Sequence, residues 1–145
     1  MPNIAENKRA GFDYDITEKY EAGIELTGQE VKSAKSGHFN LASSYAVPKN
    51  GQLLLVNSSI PPYQPKNAPA DYKPDRSRRL LLHKSEIKTL YGKLQQRSFS
   101  LVPLRAYIKK GFVKLELGLG KSRKKSDKRE VIKKRDARRE MRELI

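Results

Sequence analysis

Two histidines and one closely spaced pair of aspartates are the first candidates in this sequence for catalysis or metal binding. His38 and His83 are the sequence's two histidines, and neither stands in a metal-binding spacing such as HExxH. Asp13 and Asp15 lie two residues apart on one face of a predicted strand, where both would normally be solvated carboxylates. We therefore predict no catalytic residue and no metal site.

A glycine-rich stretch, GLGKS at residues 118–122, is similar to the end of a phosphate-binding loop. It lacks the first glycine of the GxxxxGK[ST] pattern at the required spacing, and the sequence has no GxSxG motif. We therefore expect neither nucleotide nor cofactor binding, and we expect that the protein is not an enzyme.

The composition of this 145-residue chain favours one small domain that binds an anionic partner. Its formal net charge is +15, and nucleic acid is the commonest partner for such a charge. The absence of cysteine fits a reducing cytoplasm and excludes thiolate zinc sites. We expect no membrane partner, because no apolar run approaches the roughly 18 residues of a membrane helix, and the N-terminus has no apolar signal segment.

Basic residues interleaved with tyrosines favour RNA as that partner. Lysine and arginine neutralise phosphates, and tyrosine rings can stack on unpaired bases. Each cation alone is an ordinary solvated charge, but together they indicate a nucleic-acid surface if the fold brings them to one side. The candidate cations are Lys8 and Arg9, then Arg76, Arg78 and Arg79, and finally Lys109, Lys110 and Lys114.

The first half of the body is predicted to be a long strand and a short helix. Residues 12–26 alternate between apolar and polar types, as a half-buried strand does, although Glu18 interrupts the apolar face. Thr27 and Glu30 then have the capping-box spacing of a helix start, and Gly37 can end that helix.

The second half is predicted to contain two hairpins separated by a long connection. A strand over 39–47 joins the next strand through an Asn50-Gly51 turn. Residues 57–79 hold five of the eight prolines and are predicted to be a surface connection. A helix containing Ile87 and Leu90 follows, and a hairpin that turns at 109–111 ends the body. About five strands without a β-α repeat predict a small antiparallel barrel, closed or partly open.

The last part of the chain differs from the body in composition. Residues 121–145 hold 12 Lys and Arg against 5 Asp and Glu, so +7 of the net charge lies there, on a segment with only a thin apolar stripe. We predict a body over 1–120 and a tail over 121–145 that is disordered when free and becomes helical when phosphates neutralise it. The alternative is a surface helix that docks on the body through Met141 and Leu144.

Five segments together resemble the small protein B (SmpB) family, the bacterial partners of transfer-messenger RNA (tmRNA). The segments are NKRA at 7–10, DYDITEKYEAGIELTGQEVKS at 13–33, NLASSYA at 40–46, RRLLLHKSEI at 78–87, and the run over 101–130 that ends in DKRE. The resemblance implies a mainly β fold with some α: an antiparallel OB-like barrel with two short helices and a basic C-terminal helical tail. It also implies a cytoplasmic adaptor without enzymatic activity, which is monomeric when free.

The partners that the resemblance implies are tmRNA and the 70S ribosome. The family's barrel binds the tRNA-like domain of tmRNA and stands in for the missing anticodon arm in the ribosomal A site. The tail extends past the rRNA of the decoding centre into the empty mRNA channel. Stalled ribosomes are thereby rescued and the unfinished peptide is tagged. Composition alone leaves one alternative open, a structural ribosomal protein with a barrel and an rRNA-binding extension.

The resemblance also assigns RNA contacts to individual positions. The expected contacts with tmRNA are Asn7, Lys8, Arg9, Glu21, Leu81, His83 and Lys114. The expected contacts of the tail with the ribosome are Asp127, Lys128, Arg129, Lys133, Lys134, Arg135, Arg138 and Arg139.

Some positions in the family motifs have a second interpretation. Leu81 and His83 could instead be packing residues at a helix entry, and Glu30 is better explained by the capping box than by an RNA contact. Ser126 stands where some relatives carry an aromatic residue or a histidine, so the resemblance does not carry a stacking contact over to this position and leaves its role open.

Overall fold

The computed structural model describes residues 2–123, in which seven strands and three α-helices are found. In chain order these elements are β1 Asn3–Glu6, α1 Ala10–Asp13, β2 Tyr14–Ile24, α2 Gly28–Lys35, β3 Tyr45–Lys49, β4 Gln52–Val56, β5 Arg78–Leu81, α3 Lys84–Leu94, β6 Phe99–Lys109 and β7 Phe112–Ser122. One 3₁₀ turn, Pro65–Asn67, lies in the connection between β4 and β5.

The strands form a closed antiparallel ring. Hydrogen-bonded neighbours follow the order β6-β3-β4-β5-β2-β7, and β7 pairs again with β6. β1 lies beside this ring and pairs with β6. The predicted small OB-like antiparallel barrel is therefore confirmed, and its closure protects strand edges that could otherwise pair with another chain.

Alternate residues of β7 supply the centre of the core. Val113, Leu115 and Leu117 are buried, whereas Lys114 and Glu116 between them are partly exposed. This is the alternation predicted from the sequence. Because β7 pairs along its length with β2 on one side and with β6 on the other, its inward side chains pack in the middle of the hydrophobic cluster.

Two glycines allow β7 to approach β2 closely. A Cβ atom at Gly120 would lie 2.4 Å from the carbonyl oxygen of Asp15, and a Cβ atom at Gly118 would lie 3.0 Å from the side chain of Ile16. The pairing of β2 with β7 is irregular between Ile16 and Glu18, opposite these glycines. The GLGKS stretch therefore belongs to a strand, and Glu18, which interrupts the predicted apolar face, lies at this irregularity.

The predicted start of the first long strand, at Phe12, is wrong, because β2 begins at Tyr14. Phe12 and Asp13 lie in α1, where the backbone N–H groups of both donate to the carbonyl oxygen of Arg9. This turn carries the chain from β1, which lies on β6, to β2, which lies on β7, and it buries Ala10. A helix of four residues is too short to change the two-residue alternation visible in the sequence.

Two short strands are absent from the sequence prediction. β1 and β5 have four residues each, which is too few to show a repeating pattern. Pairing with β6 holds β1 in place, and pairing with β2 and β4 holds β5. The proline-rich connection therefore ends before Arg78 and does not extend to Arg79.

The predicted helix start and hairpin turns are confirmed. The backbone N–H of Glu30 donates to Oγ1 of Thr27 at 3.3 Å, and the backbone N–H of Thr27 donates to Oε1 of Glu30 at 2.9 Å, so a capping box begins α2. The β6–β7 hairpin turns at Lys110 and Gly111, whose φ angles are 51° and 81°. Two successive positive φ angles fit the right-handed twist of the flanking strands and favour glycine.

The last described residue, Arg123, is held against the start of β2. Its backbone N–H donates to the carbonyl oxygen of Asp13 at 2.8 Å, and its guanidinium lies 3.9 Å from the carboxylate of Asp15. β7 itself ends at Ser122, beyond the boundary predicted near Gly120. The packed body thus continues through Arg123.

A buried ion pair connects α2 to β5. Nε of Arg78 donates to Oε2 of Glu30 at 2.7 Å, and the two side chains are 0% and 1% exposed. Arg76 donates to Oε1 of the same carboxylate at 2.6 Å. Burial by itself raises the pKa of Glu30, but the hydrogen bonds from Arg76 and from the Thr27 N–H, with the charge of Arg78, outweigh burial and lower that pKa. Glu30 therefore has a structural role beyond the predicted cap.

We expect Glu30→Gln to destabilise the barrel. The amide preserves an acceptor for the cap but leaves Arg78 buried without its counter-charge, which lowers the free energy of unfolding by about 3–5 kcal/mol. Urea denaturation at pH 7 measures this loss. Because the pKa of Glu30 is lowered on folding, the stability difference between the two proteins should shrink as pH falls below 4.5 and through the folded-state pKa.

Glu25→Gln is the matched control for this substitution. The carboxylate of Glu25 is 62% exposed and lies 3.8 Å from Arg79. Loss of such a surface pair changes the free energy of unfolding by only about 0–1 kcal/mol. Equal losses in the two variants would contradict a special contribution from the buried pair.

Candidate RNA-binding surface

Gly23 brings three of the candidate RNA-binding residues together on the outer face of the barrel. It pairs with Leu81 of β5 on one side and with Lys114 of β7 on the other. A Cβ atom at Gly23 would lie 3.3 Å from Cβ of Leu81 and 3.6 Å from Nζ of Lys114. Glu21 precedes Gly23 by two residues and so shares its face of β2. We call Glu21, Leu81 and Lys114 the Gly23 cluster.

Glu21 accepts hydrogen bonds from two side chains of β6. The hydroxyl of Tyr107 donates to Oε2 at 2.5 Å, and Nζ of Lys109 donates to Oε1 at 3.0 Å. The bond from Tyr107, followed by the bond from Lys109, holds the pKa of Glu21 below its usual range. The ionised carboxylate is 42% exposed and keeps further lone pairs. It can therefore accept hydrogen bonds from base amino groups or ribose hydroxyls.

Tyr107 is a member of this surface that the sequence prediction missed. It is buried, and burial, followed by the hydrogen bond to Glu21, raises its pKa to about 12. The guanidinium of Arg105 lies 4.4 Å from the centre of its ring and 3.4 Å from the carboxylate of Glu116. The alternation of Arg105, Tyr107 and Lys109 indicates a shared face, but the position of that face beside Glu21 depends on the pairing of β6 with β7 and of β7 with β2.

His83 lies at the junction between β5 and α3, two residues after Leu81. Its backbone N–H donates to Oε1 of Glu86 at 3.2 Å, so His83 stands at the helix entry as the N-cap of α3, although it does not pack there. The His83 side chain is exposed, and a contact with RNA stays a prediction. Leu81 is exposed as well and is not a core packing residue.

Asn7, Lys8 and Arg9 form a second group, between β1 and α1. The side-chain amide of Asn7 donates to the carbonyl oxygen of Pro103 at 3.0 Å and so holds this segment against β6. Lys8 and Arg9 are exposed, and Arg9 lies 3.4 Å from the carboxylate of Asp13. Asn7 therefore has a structural role, while the two cations are accessible to a phosphate.

A cavity of about 350 Å³ lies beside this second group. Asn7 and Arg9 line it together with Tyr14 and Tyr45. Cations next to aromatic rings are the combination found where proteins bind single-stranded nucleic acid. The candidate residues thus lie in the Gly23 cluster and at the β1–α1 junction, apart from His83, which lies two residues after Leu81.

The assignment of Arg78 to the nucleic-acid surface is wrong. Its guanidinium is fully buried against Glu30 and cannot reach a phosphate. Arg76 and Arg79 are exposed, although Arg76 binds the same carboxylate. The sequence places these three arginines close together, but the alternation of β5, which turns Arg78 inward and Arg79 outward, and the carboxylate of Glu30 from α2 determine which of them is buried.

The candidates assigned to the ribosome lie outside the described residues. They are Asp127, Lys128, Arg129, Lys133, Lys134, Arg135, Arg138 and Arg139. Within residues 2–123, no group of three histidine, aspartate or glutamate side chains could hold a metal ion. In the same range, no helix is long and apolar enough to cross a membrane.

Comparison with known proteins gives matches along nearly the whole chain. The model of the SmpB protein family matches residues 4–145. The SsrA-binding protein of Shouchella clausii is 48% identical over 98% of this chain and 90% of its own length. The SsrA-binding protein of Carboxydothermus hydrogenoformans is 49% identical over 98% of this chain and 95% of its own length.

A solved structure shares the fold. Its description is "tmRNA-SmpB: a journey to the center of the bacterial ribosome", and the matching chain is 42% identical to this one. The TM-score is 0.69, and the match covers 88% of this chain and 93% of the other.

We expect Glu21→Gln to lower the pKa of Tyr107. The carboxylate favours the protonated phenol through its hydrogen bond and its charge, so the pKa should fall from about 12 but stay above 10, because burial remains. NMR titration of the tyrosine ring carbons, which resolves Tyr107 from the other tyrosines of the chain, measures the change. Glu18→Gln is the control, since it removes the corresponding partner of Tyr20, whose pKa is also raised to about 12. An unaltered Tyr107 titration in Glu21→Gln would show that the contact is not made.

Proposed function

The chain belongs to the SmpB protein family, and we propose that it binds tmRNA as an adaptor in trans-translation. The observation that carries this conclusion is the family match over residues 4–145, together with relatives named for binding SsrA and a matching chain from a tmRNA–SmpB structure. The alternative of a structural ribosomal protein is not favoured, because none of these relatives is described as one.

The Gly23 cluster is the part of the barrel that we assign to the tRNA-like domain of tmRNA. Lys114 can neutralise a phosphate, while Leu81 offers an exposed apolar side chain for a ribose or a base face. Glu21 repels phosphates and accepts hydrogen bonds from bases or riboses. Contacts with phosphates position a protein on its nucleic acid, whereas contacts with bases determine which sequence it binds. This mixture of charges would therefore favour one docking position over many.

The β1–α1 junction and His83 complete the proposed contact with tmRNA. Arg9 supplies positive charge at the cavity beside Tyr14, Lys8 is an exposed cation next to it in the chain, and Asn7 fixes the backbone from which both project. His83 stands at the end of β5 that also carries Leu81. A ligand that contacted both places would cover the side of the barrel formed by β2, β6 and β7.

The residues after Arg123 are the part of the chain that we assign to the ribosome. Their positive charge fits the phosphate-lined mRNA channel, where we expect them to gain helical order and to contact the rRNA of the decoding centre. The barrel would stand in for the missing anticodon arm, and the protein would act in the cytoplasm as a monomer, without catalysis of its own. Rescue of stalled ribosomes and tagging of the unfinished peptide follow from this placement.

We expect charge reversal at Glu21 to weaken binding to the tRNA-like domain. Glu21→Lys adds positive charge, which favours nonspecific RNA binding, yet it removes the acceptor that bases or riboses would use. Affinity for the domain, measured with excess competitor tRNA, should fall by about 10- to 100-fold. Asp75→Lys makes the same charge change at an exposed position of the proline-rich connection and should leave specific affinity intact. Equal affinities of the two variants would contradict the assignment of Glu21.

We expect removal of residues 124–145 to separate the two parts of the function. A chain that ends at Arg123 keeps β7 and the contact of Arg123 with Asp13, so it should still bind the tRNA-like domain. It should fail in a reconstituted peptide-tagging reaction on stalled ribosomes. Full tagging by the shortened chain would refute the role of the tail, and loss of tmRNA binding would refute the role of the body.

A further inference from the structure

We propose that Phe112 stacks on an unpaired base of the tRNA-like domain of tmRNA, an inference that rests on the proposed function. Phe112 is 69% exposed, more than any other large apolar side chain among the described residues. A single exposed apolar residue is ordinary on a protein surface. The position of Phe112 and the charges around it therefore decide what the ring does.

Phe112 continues the outer row of β7 that contains Lys114. The two residues are separated by one position, so their side chains lie on the same face of the sheet. Phe112 pairs across the hairpin with Lys109, and Lys109 in turn contacts Glu21. An RNA strand bound at Glu21 and Lys114 would reach the phenyl ring without leaving this face.

A tight turn and a hydrogen bond from α2 constrain the backbone that presents Phe112. The preceding turn at Lys110 and Gly111 has the two positive φ angles of a tight hairpin. Nζ of Lys35, on α2, donates to the carbonyl oxygen of Gly111 at 3.1 Å and so holds the turn against the helix. A ring on a fixed backbone loses little conformational freedom on binding, which favours its use as a stacking platform.

The charges around Phe112 favour a nucleic acid over an apolar protein surface. Lys110 precedes it in the turn, Lys35 contacts the turn from α2, and Lys114 follows it on β7. An aromatic ring among cations is the arrangement that holds unpaired bases and their phosphates. A second copy of the chain is a poor partner for Phe112, because each copy carries a net charge of +15 and the two copies would repel each other.

Two substitutions of Phe112 test the stacking contact in the full-length chain. Phe112→Leu keeps an apolar side chain but removes the aromatic face, so affinity for the isolated tRNA-like domain should fall by about 5- to 100-fold. The slope of log Kd against log salt should stay unchanged, because no charge is lost. Phe112→Trp should preserve the affinity. Tyr63→Leu removes an exposed aromatic ring from the proline-rich connection and is the control that should not weaken binding.

Fluorescence identifies the RNA that the ring contacts. The sequence contains no tryptophan, so Phe112→Trp introduces a single probe. Stacking predicts quenching of this probe on addition of the tRNA-like domain alone. Quenching that appears only after 70S ribosomes are added would make rRNA the occupant and overturn the proposal, as would full affinity of Phe112→Leu.

The same titrations separate this inference from the proposed function. If the wild-type chain fails to bind the tRNA-like domain, both the proposed function and the stacking contact are refuted. If the wild type binds, Glu21→Lys weakens binding and Phe112→Leu does not, the stacking contact alone is refuted.

Discussion

The pairing of β7 with both β2 and β6 is the constraint on which the rest of the structure depends. In this register Tyr107, Lys114, Gly23 and Leu81 form one row across four adjacent strands. The inward leucines of β7 fix that register, because a slip of one residue would turn Lys114 into the core and a leucine into solvent. The packing of the interior and the arrangement of the face that we propose binds RNA are therefore set by the same strand.

The outer face combines opposite charges in a chain that is strongly positive overall. Glu21 stays ionised because Tyr107 and Lys109 both donate to it, and Tyr107 keeps its proton because it is buried against that carboxylate. A uniformly basic surface would hold any RNA in many orientations, since attraction to phosphates carries no sequence information. A fixed negative charge between Lys109 and Lys114 excludes phosphates from one point and so limits the ways in which an RNA can dock.

The parts of the fold that the sequence predicted are those determined by near neighbours in the chain. The capping box at Thr27, the turn at Gly111 and the alternation of β7 each depend on a few adjacent residues. α1, β1 and β5 have four residues each and depend on distant strands, so no local pattern indicates them. Arg78 was assigned to the surface because its partner Glu30 is 48 positions away. The resemblance supplied the individual candidates, while their division between the Gly23 cluster and the β1–α1 junction came from strand pairing.

The attachment of Arg123 to Asp13 and Asp15 has a mechanical consequence. Arg123 directly follows β7, its backbone N–H donates to Asp13, and its guanidinium lies 3.9 Å from Asp15 of β2, the strand that carries Glu21. A rotation of the barrel therefore carries Arg123 with it, and the position of this residue in space reports how the barrel is oriented.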